Sequence, residues 1–157
     1  MTKIVRFLED FYPGMELEFG DRLVTAGEIV AFASEYDPQP FHLTDAAGRE
    51  THFGGLVASG WQTAGFMMRM MVDHLLSPES ALGSPGLEKL RWLKPVRPGD
   101  RLHTRIKVLD VKRSRSRPEM GTVQQLSEVI NQNGEVVMAV ESIGMFRARD
   151  IGQNSAD

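Results

Sequence analysis

The sequence predicts an α+β fold in which an antiparallel sheet of about five strands wraps one long helix, and two features carry the prediction. From Gly60 to Leu76 apolar residues recur at Trp61, Gly65, Met68, Val72 and Leu75, a helical spacing. Phe66, Met67, Met70 and Met71 widen that stripe until only Gln62, Arg69 and Asp73 remain as a thin polar seam, the pattern of a buried helix. After a Pro- and Gly-rich loop from Ser77 to Gly86, the apolar period changes from helical to alternating. One early helix and mostly late strands make the α+β arrangement.

Taken in order, the chain begins with a short irregular stretch from Ile4, then a turn at Pro13-Gly14 and a strand Met15 to Phe19 that Arg22 to Thr25 can continue. Thr25, with Glu28 three residues on, forms a capping-box pattern ahead of a helix Ala26 to Glu35 whose Ile29, Val30, Phe32 and Ala33 make an inward face. Beyond an elbow at residues 37–42, Thr44 to Glu50 reads as one exposed helical turn, closing on the apolar Phe53-Gly54-Gly55 entry to the long helix. Ser59 suits the N-cap of that helix, because its hydroxyl can accept a bond from an unpaired first-turn amide. Leu87 to Leu93 reads as a strand and Lys94 to Asp100 as a rigid connection. Leu102, Thr104, Ile106 and Val108 then alternate with Arg101, His103, Arg105 and Lys107 in a half-buried strand. Val111 to Gly121 is polar and basic and reads as a long hairpin connection. Thr122 to Ile130 and Glu135 to Arg147 are strands joined by an Asn-Gly turn. Val136 to Met145, apolar on both faces, is expected to be a central strand covered on both sides.

At 157 residues, the chain has the size of one domain, expected over residues 1–150 with a polar, frayed tail at 151–157. A net charge of −3 makes no electrostatic case for nucleic acid or an anionic membrane as the main partner. The absence of cysteine excludes a disulfide framework and thiolate chemistry, and the scattered histidines show no metal-ligand spacing. The long helix, roughly 25 Å at about 1.5 Å per residue, is too short and too interrupted by charge to span a bilayer. Residues 1–11 carry acids within their apolar run and no cleavage-site pattern, so they do not read as a signal peptide, and a cytoplasmic location is expected.

The chemistry concentrates in Asp37-Pro38-Gln39-Pro40-Phe41-His42. Each proline fixes its own φ and drives the preceding residue away from helix, so the segment is expected to be a stiff, non-helical elbow. It holds a carboxylate and an imidazole within reach of each other, which is what proton transfer to and from water requires. Taken alone, the two also fit a turn in which Asp bonds its own backbone.

Residues 32–42, Phe-Ala-Ser-Glu-Tyr-Asp-Pro-Gln-Pro-Phe-His, together with Phe53 to Gly60 and Lys94-Pro95-Val96-Arg97-Pro98-Gly99-Asp100, resemble the MaoC-like dehydratases of hot-dog fold, which include the (R)-specific enoyl-CoA hydratases. The likeness runs from Phe11 to about Phe146. It implies a hot-dog domain that is a homodimer or larger homo-oligomer. It also implies reversible hydration of a 2-enoyl-CoA, with coenzyme A entering as part of the substrate and no separate cofactor or metal. Asp37 and His42 are implied as the pair that holds and activates water, with the assignment of base and acid left open. Gly60 is implied as the amide donor to the thioester carbonyl, and Ser59 and Gly60 as substrate-binding residues. Helix physics supports Gly60 independently, since the first amides of a helix lack intrahelical acceptors and sit at its positive end. Gln39 stands where many members carry Asn, and Ser59 where many carry His; these departures bear on substrate range. A hot-dog acyl-CoA thioesterase and a non-catalytic acyl-CoA-binding subunit are the alternatives, the first disfavoured by the Asp37/His42 spacing.

Other residues read more simply. His52, His74 and His103 are expected at the surface or in packing, Met67, Met68, Met70 and Met71 in the core, and Trp61 in packing. Lys112, Arg113, Arg115 and Arg117 are expected in a solvated loop in preference to a grip on coenzyme A phosphates.

Overall fold

The computed structural model describes residues 3–149; the polar tail expected after Asp150 lies outside them. Five antiparallel strands form one sheet in the order β1-β3-β4-β5-β2. They are β1 (Glu16–Leu23), β2 (Gly86–Trp92), β3 (Arg101–Arg113), β4 (Met120–Ile130) and β5 (Val136–Arg147). The helices are α1 (Ala26–Tyr36), α2 (Asp45–Arg49) and α3 (Gly60–His74). Consecutive hairpins build β3, β4 and β5, and β1 and β2 are added at the two edges.

Both long helices start where the capping residues place them. The Thr25 hydroxyl accepts from the Glu28 amide at 3.3 Å and donates to the Glu28 carboxylate at 2.9 Å, while Ser59 accepts from the Trp61 amide at 3.3 Å. On α1, Ile29 and Ala33 are buried and Val30 and Phe32 half-buried. Helix α3 lays Phe66, Met67, Met70 and Met71 against Ile106, Val123, Val129 and Val140 of the sheet in one core. Each fully buried side chain of this kind contributes about 1.5–3 kcal/mol relative to exposure. Strand β1 curls around the helix through a bulge between Phe19 and Arg22. Gly20 makes the bulge, with a φ of +90° and the Met70 side chain lying where a Cβ would be.

Three expectations are corrected. The expected face of α3 is rotated: Gly65 is exposed, Trp61, Met68 and Val72 are 60, 49 and 44 % exposed, and Gln62 and Thr63 are buried. Gln62 can turn inward because its side-chain amide donates to the Glu28 carbonyl at 2.9 Å. Second, the hairpin connection is shorter than expected, since β3 and β4 stay paired out to Arg113↔Gly121 and leave only residues 114–119 between the strands. Charged side chains at this exposed end keep their hydration, and Arg113 is further held by Glu9 at 2.6 Å. Third, the elbow contains a 3-10 turn at Pro40–His42. Proline opens it at no cost, because the first residue of such a turn has no amide bond to lose. Strand β5 is interior, and its neighbouring Val137 and Met138 are both fully buried, so both faces are covered there.

Candidate active site

Helix α1 hands the chain to the elbow with Asp37 as its C-cap, the Asp37 amide donating to the Ala33 carbonyl at 2.9 Å. The 3-10 turn then closes with His42 N–H on Gln39 O at 2.9 Å. The result is a direct meeting of His42 Nε2 and Asp37 Oδ2 at 3.3 Å, with the imidazole 7 % and the carboxylate 19 % exposed. The extended segment entering α3 fixes the other side of the ring: His42 Nδ1 lies 2.6 Å from the Val57 carbonyl. Val57 N–H in turn bonds Phe41 O at 3.2 Å and Ala58 N–H bonds Val96 O at 2.8 Å. A carbonyl only accepts, so Nδ1 carries a proton and Nε2 is the nitrogen that exchanges one. Nε2 faces a carboxylate oxygen within ion-pair distance, so the two groups are placed to pass a proton between them.

Asp37 is the better-held partner. Its Oδ1 accepts from Gln39 Nε2 at 2.7 Å. Burial pushes the carboxyl upward, but the hydrogen bonds from Gln39 and Ser59 and the charge of His42 outweigh it and hold Asp37 below the ordinary carboxylate range. Ser59, fully buried, therefore caps α3 and steadies the carboxylate with the same hydroxyl. The long amide of Gln39 reaches the carboxylate from only two residues away.

Next to the pair, α3 begins at Gly60, whose amide donates to no described group. Trp92 Nε1 donates to the Gly60 carbonyl at 2.9 Å. A Cβ on Gly60 would come within 2.6 Å of Trp92 Cδ2 and Nε1 and closer still to Cε2. The glycine is thus required by the indole plate, a reason additional to room for a ligand. Trp61 meets that plate edge to face at 5.1 Å.

All four expected site residues, Asp37, His42, Ser59 and Gly60, line one cavity of about 580 Å³. Trp61 and His52 also line it: His52 is exposed, as expected of it, and Trp61, expected in packing, both packs on Trp92 and borders the cavity. Sequence reasoning missed Trp92 and Arg97 as wall residues, although Arg97 sits in the rigid connection already singled out and Trp92 two residues before it. None of Lys112, Arg113, Arg115 and Arg117 reaches the cavity. Met67, Met70 and Met71 are core, whereas Met68 faces outward. A smaller depression of about 220 Å³ between β2, β4 and β5 contains no acid–base pair. Among the described residues no three His, Asp or Glu side chains cluster as metal ligands, and no helix is long and apolar enough to cross a membrane.

A five-stranded antiparallel sheet curled on one helix, with an Asp–His pair at that helix's N-terminus, defines a hot-dog-fold protein. The chain belongs to the MaoC-like domain family, whose pattern residues 10–131 match. A crystal structure of a MaoC-like dehydratase from Rhodospirillum rubrum superposes with a TM-score of 0.87 at 41% identity, covering 94% of this chain and all of that one (100%). The 3-hydroxybutyryl-CoA dehydratase of Methylorubrum extorquens is 26% identical over 137 residues, 87% of this chain and 85% of the relative. The mesaconyl-CoA hydratase of Cereibacter sphaeroides is 28% identical over 157 residues, 95% of this chain but 43% of that longer protein.

Proposed function

We propose that the protein catalyses reversible hydration of a 2-enoyl-CoA thioester to the 3-hydroxyacyl-CoA. The observation that carries the reading is the Asp37–His42 pair facing the same cavity as the unpaired Gly60 amide. Relatives named 3-hydroxybutyryl-CoA dehydratase and mesaconyl-CoA hydratase support it.

The thioester carbonyl accepts from Gly60 N–H at the positive end of α3. As water adds to the β-carbon, negative charge gathers on that oxygen, so a fixed amide there stabilises the transition state more than the ground state. The depressed Asp37 carboxylate is ionised and takes a proton from water as the oxygen bonds to the β-carbon. In this step His42 acts as the acid, its Nε2 delivering a proton to the α-carbon. The proton left on Asp37 returns to His42 across their contact, and the roles reverse on dehydration. Gln39 and Ser59 keep the carboxylate aimed throughout.

The same reading includes a second copy of the chain. The first turn of α3 meets edge strand β2 through the Trp61–Trp92 contact, the outward face of α3 exposes Met68 and Val72 beyond it, and β2 exposes Leu87 and Trp92. An apolar helix face beside an open strand edge is a surface that an identical partner covers by sheet extension.

The test is to mix trans-2-enoyl-CoA thioesters with the protein and follow loss of the conjugated enone absorbance beside free-thiol release. Absorbance loss without thiol, abolished in Asp37→Asn and His42→Ala, is expected. Thiol release would establish the thioesterase instead, and tight binding without turnover, unchanged in Asp37→Asn, the binding subunit.

A further inference from the structure

The cavity wall carries a cation that acid–base chemistry at Asp37 and His42 does not use. Arg97 is half-buried in the connection between β2 and β3, and one of its guanidinium nitrogens donates to the Phe53 carbonyl. Asp100 accepts from the Arg97 backbone amide at 2.9 Å, but no carboxylate of the described residues lies within 4.0 Å of the guanidinium, whereas Lys94 in the same connection is paired with Glu135, and Arg101 and Arg105 pair with Asp21 and Glu128. The one acidic side chain on the cavity wall, Asp37, is already committed to His42, Gln39 and Ser59. Arg97 therefore brings an uncompensated positive charge and free N–H donors to a partly desolvated wall, where an anion is worth more than in open water.

Aromatic rings lead from the proton-transfer pair to this cation. Phe41 stacks edge-on to His42 at 4.5 Å and lies 5.2 Å from Phe53, the residue whose carbonyl holds Arg97. His52 stands beside Phe53 at 4.1 Å between ring centres, exposed and on the same wall. The Trp61–Trp92 plate bounds the cavity at Gly60.

We propose that Arg97, on the wall it shares with His52, binds an oxyanion carried by the thioester substrate, so that the Phe41–Phe53 arm of the cavity takes the anionic end of the molecule. The oxyanion is a phosphate of the carrier arm or a second carboxylate on the acyl group; both offer the planar or forked oxygen pair that a guanidinium engages. The inference rests on the hydratase reading for its substrate, but the charge and its placement stand without it.

The experiment compares wild type, Arg97→Gln and Arg97→Lys on a plain enoyl-CoA, the same enoyl group on N-acetylcysteamine, which has no phosphate, and a carboxylated enoyl group on N-acetylcysteamine. A loss in kcat/KM of about tenfold or more in Arg97→Gln, carried mainly by KM and partly restored in Arg97→Lys, is expected for one anionic substrate. The plain N-acetylcysteamine thioester should be unchanged. Loss confined to the CoA thioester identifies the phosphate, and loss confined to the carboxylated group identifies the carboxylate. Equal effects on all three, or none, would mean that Arg97 only staples Phe53 to the connection, and the proposal falls. Failure of the hydratase reading is separable, because it shows as no turnover of any thioester by wild type. Quenching of tryptophan fluorescence by CoA and by the carboxylated thioester then decides: Arg97→Gln must weaken one of them, and if neither binds, or neither is weakened, the anion site is refuted.

Discussion

Replacing Gly60 by Ala tests whether the Trp92 plate and the start of α3 are one unit. The added methyl would lie 2.6 Å from Trp92 Cδ2 and Nε1, where ordinary carbon contacts need about 3.5–4.0 Å, so the indole must retreat by roughly 1 Å. Retreat loosens the bond from Nε1 to the Gly60 carbonyl, now 2.9 Å, worth about 1 kcal/mol net. It also disturbs the edge-to-face contact with Trp61 at 5.1 Å, worth about 0.5–1.5 kcal/mol. Alanine returns about 0.4–1 kcal/mol by restricting the unfolded chain. A net loss of about 1–2 kcal/mol is expected, in the range of overpacked cores, or about 2–4 °C in Tm per kcal/mol for a chain of this size. Adding Trp92→Leu removes the obstacle, so the double variant should be more stable than the sum of the two losses by about 1 kcal/mol. The assay is urea unfolding; the chain has two tryptophans, and Trp61 remains as the probe in the Trp92 variants. If Gly60→Ala is as stable as wild type, or the two losses simply add, the indole does not constrain Gly60 and the argument is wrong.

Asp37→Asn should lower the hydration rate by about 10²–10⁴ while leaving the native far-UV spectrum intact, since Gln39 and Ser59 can still bond an amide; a rate near wild type would remove Asp37 from the chemistry. The same substitution should flatten the acid limb of stability. A carboxyl held low in the folded state contributes stability that is fully present above its unfolded pKa, about 3.9, and is lost as pH falls through the lower folded value. Urea midpoints from pH 6 down to about pH 2 should therefore fall more steeply in wild type than in Asp37→Asn, and parallel curves would contradict the depressed carboxyl. Met68→Glu combined with Val72→Glu, on the outward face of α3, should shift the protein to a monomer in sedimentation, and an unchanged assembly would place the interface elsewhere.

What could be read from the sequence was what is settled within a few residues. Thr25, Ser59 and the Asn133-Gly134 turn, where Gly134 has a φ of +74°, act on their immediate neighbours, and so does the Pro-stiffened Asp37–His42 elbow. The rotation of α3 was not legible. A helix apolar nearly all round has no strong preference for one face, and Gln62 looks outward until its partner, the Glu28 carbonyl 34 residues earlier, is known. Trp92 was missed for the same reason: it is 32 residues from Gly60, and no local pattern says that its indole lies on that glycine. The outer ends of β3 and β4 read as loop in the sequence because their charge suggests solvent; charge there marks only the exposed end of a hairpin.

The outward face of α3 links the site to the proposed second copy of the chain. The helix that presents the Gly60 amide carries Trp61, Met68 and Val72 outward along its length, and Trp61 belongs to both the cavity wall and that stripe. Trp92 likewise ends the edge strand β2 and covers Gly60. A partner laid against this face would therefore exclude water from the side of the cavity where, in the proposed reaction, negative charge develops on the thioester oxygen. Excluding water lowers the local dielectric and raises the worth of a single backbone donor. In the proposed reaction, with one oxyanion amide and one acid–base pair, such closure matters most, so an isolated protomer should retain the Asp37–His42 geometry, which is made wholly from its own residues, and still be the poorer catalyst.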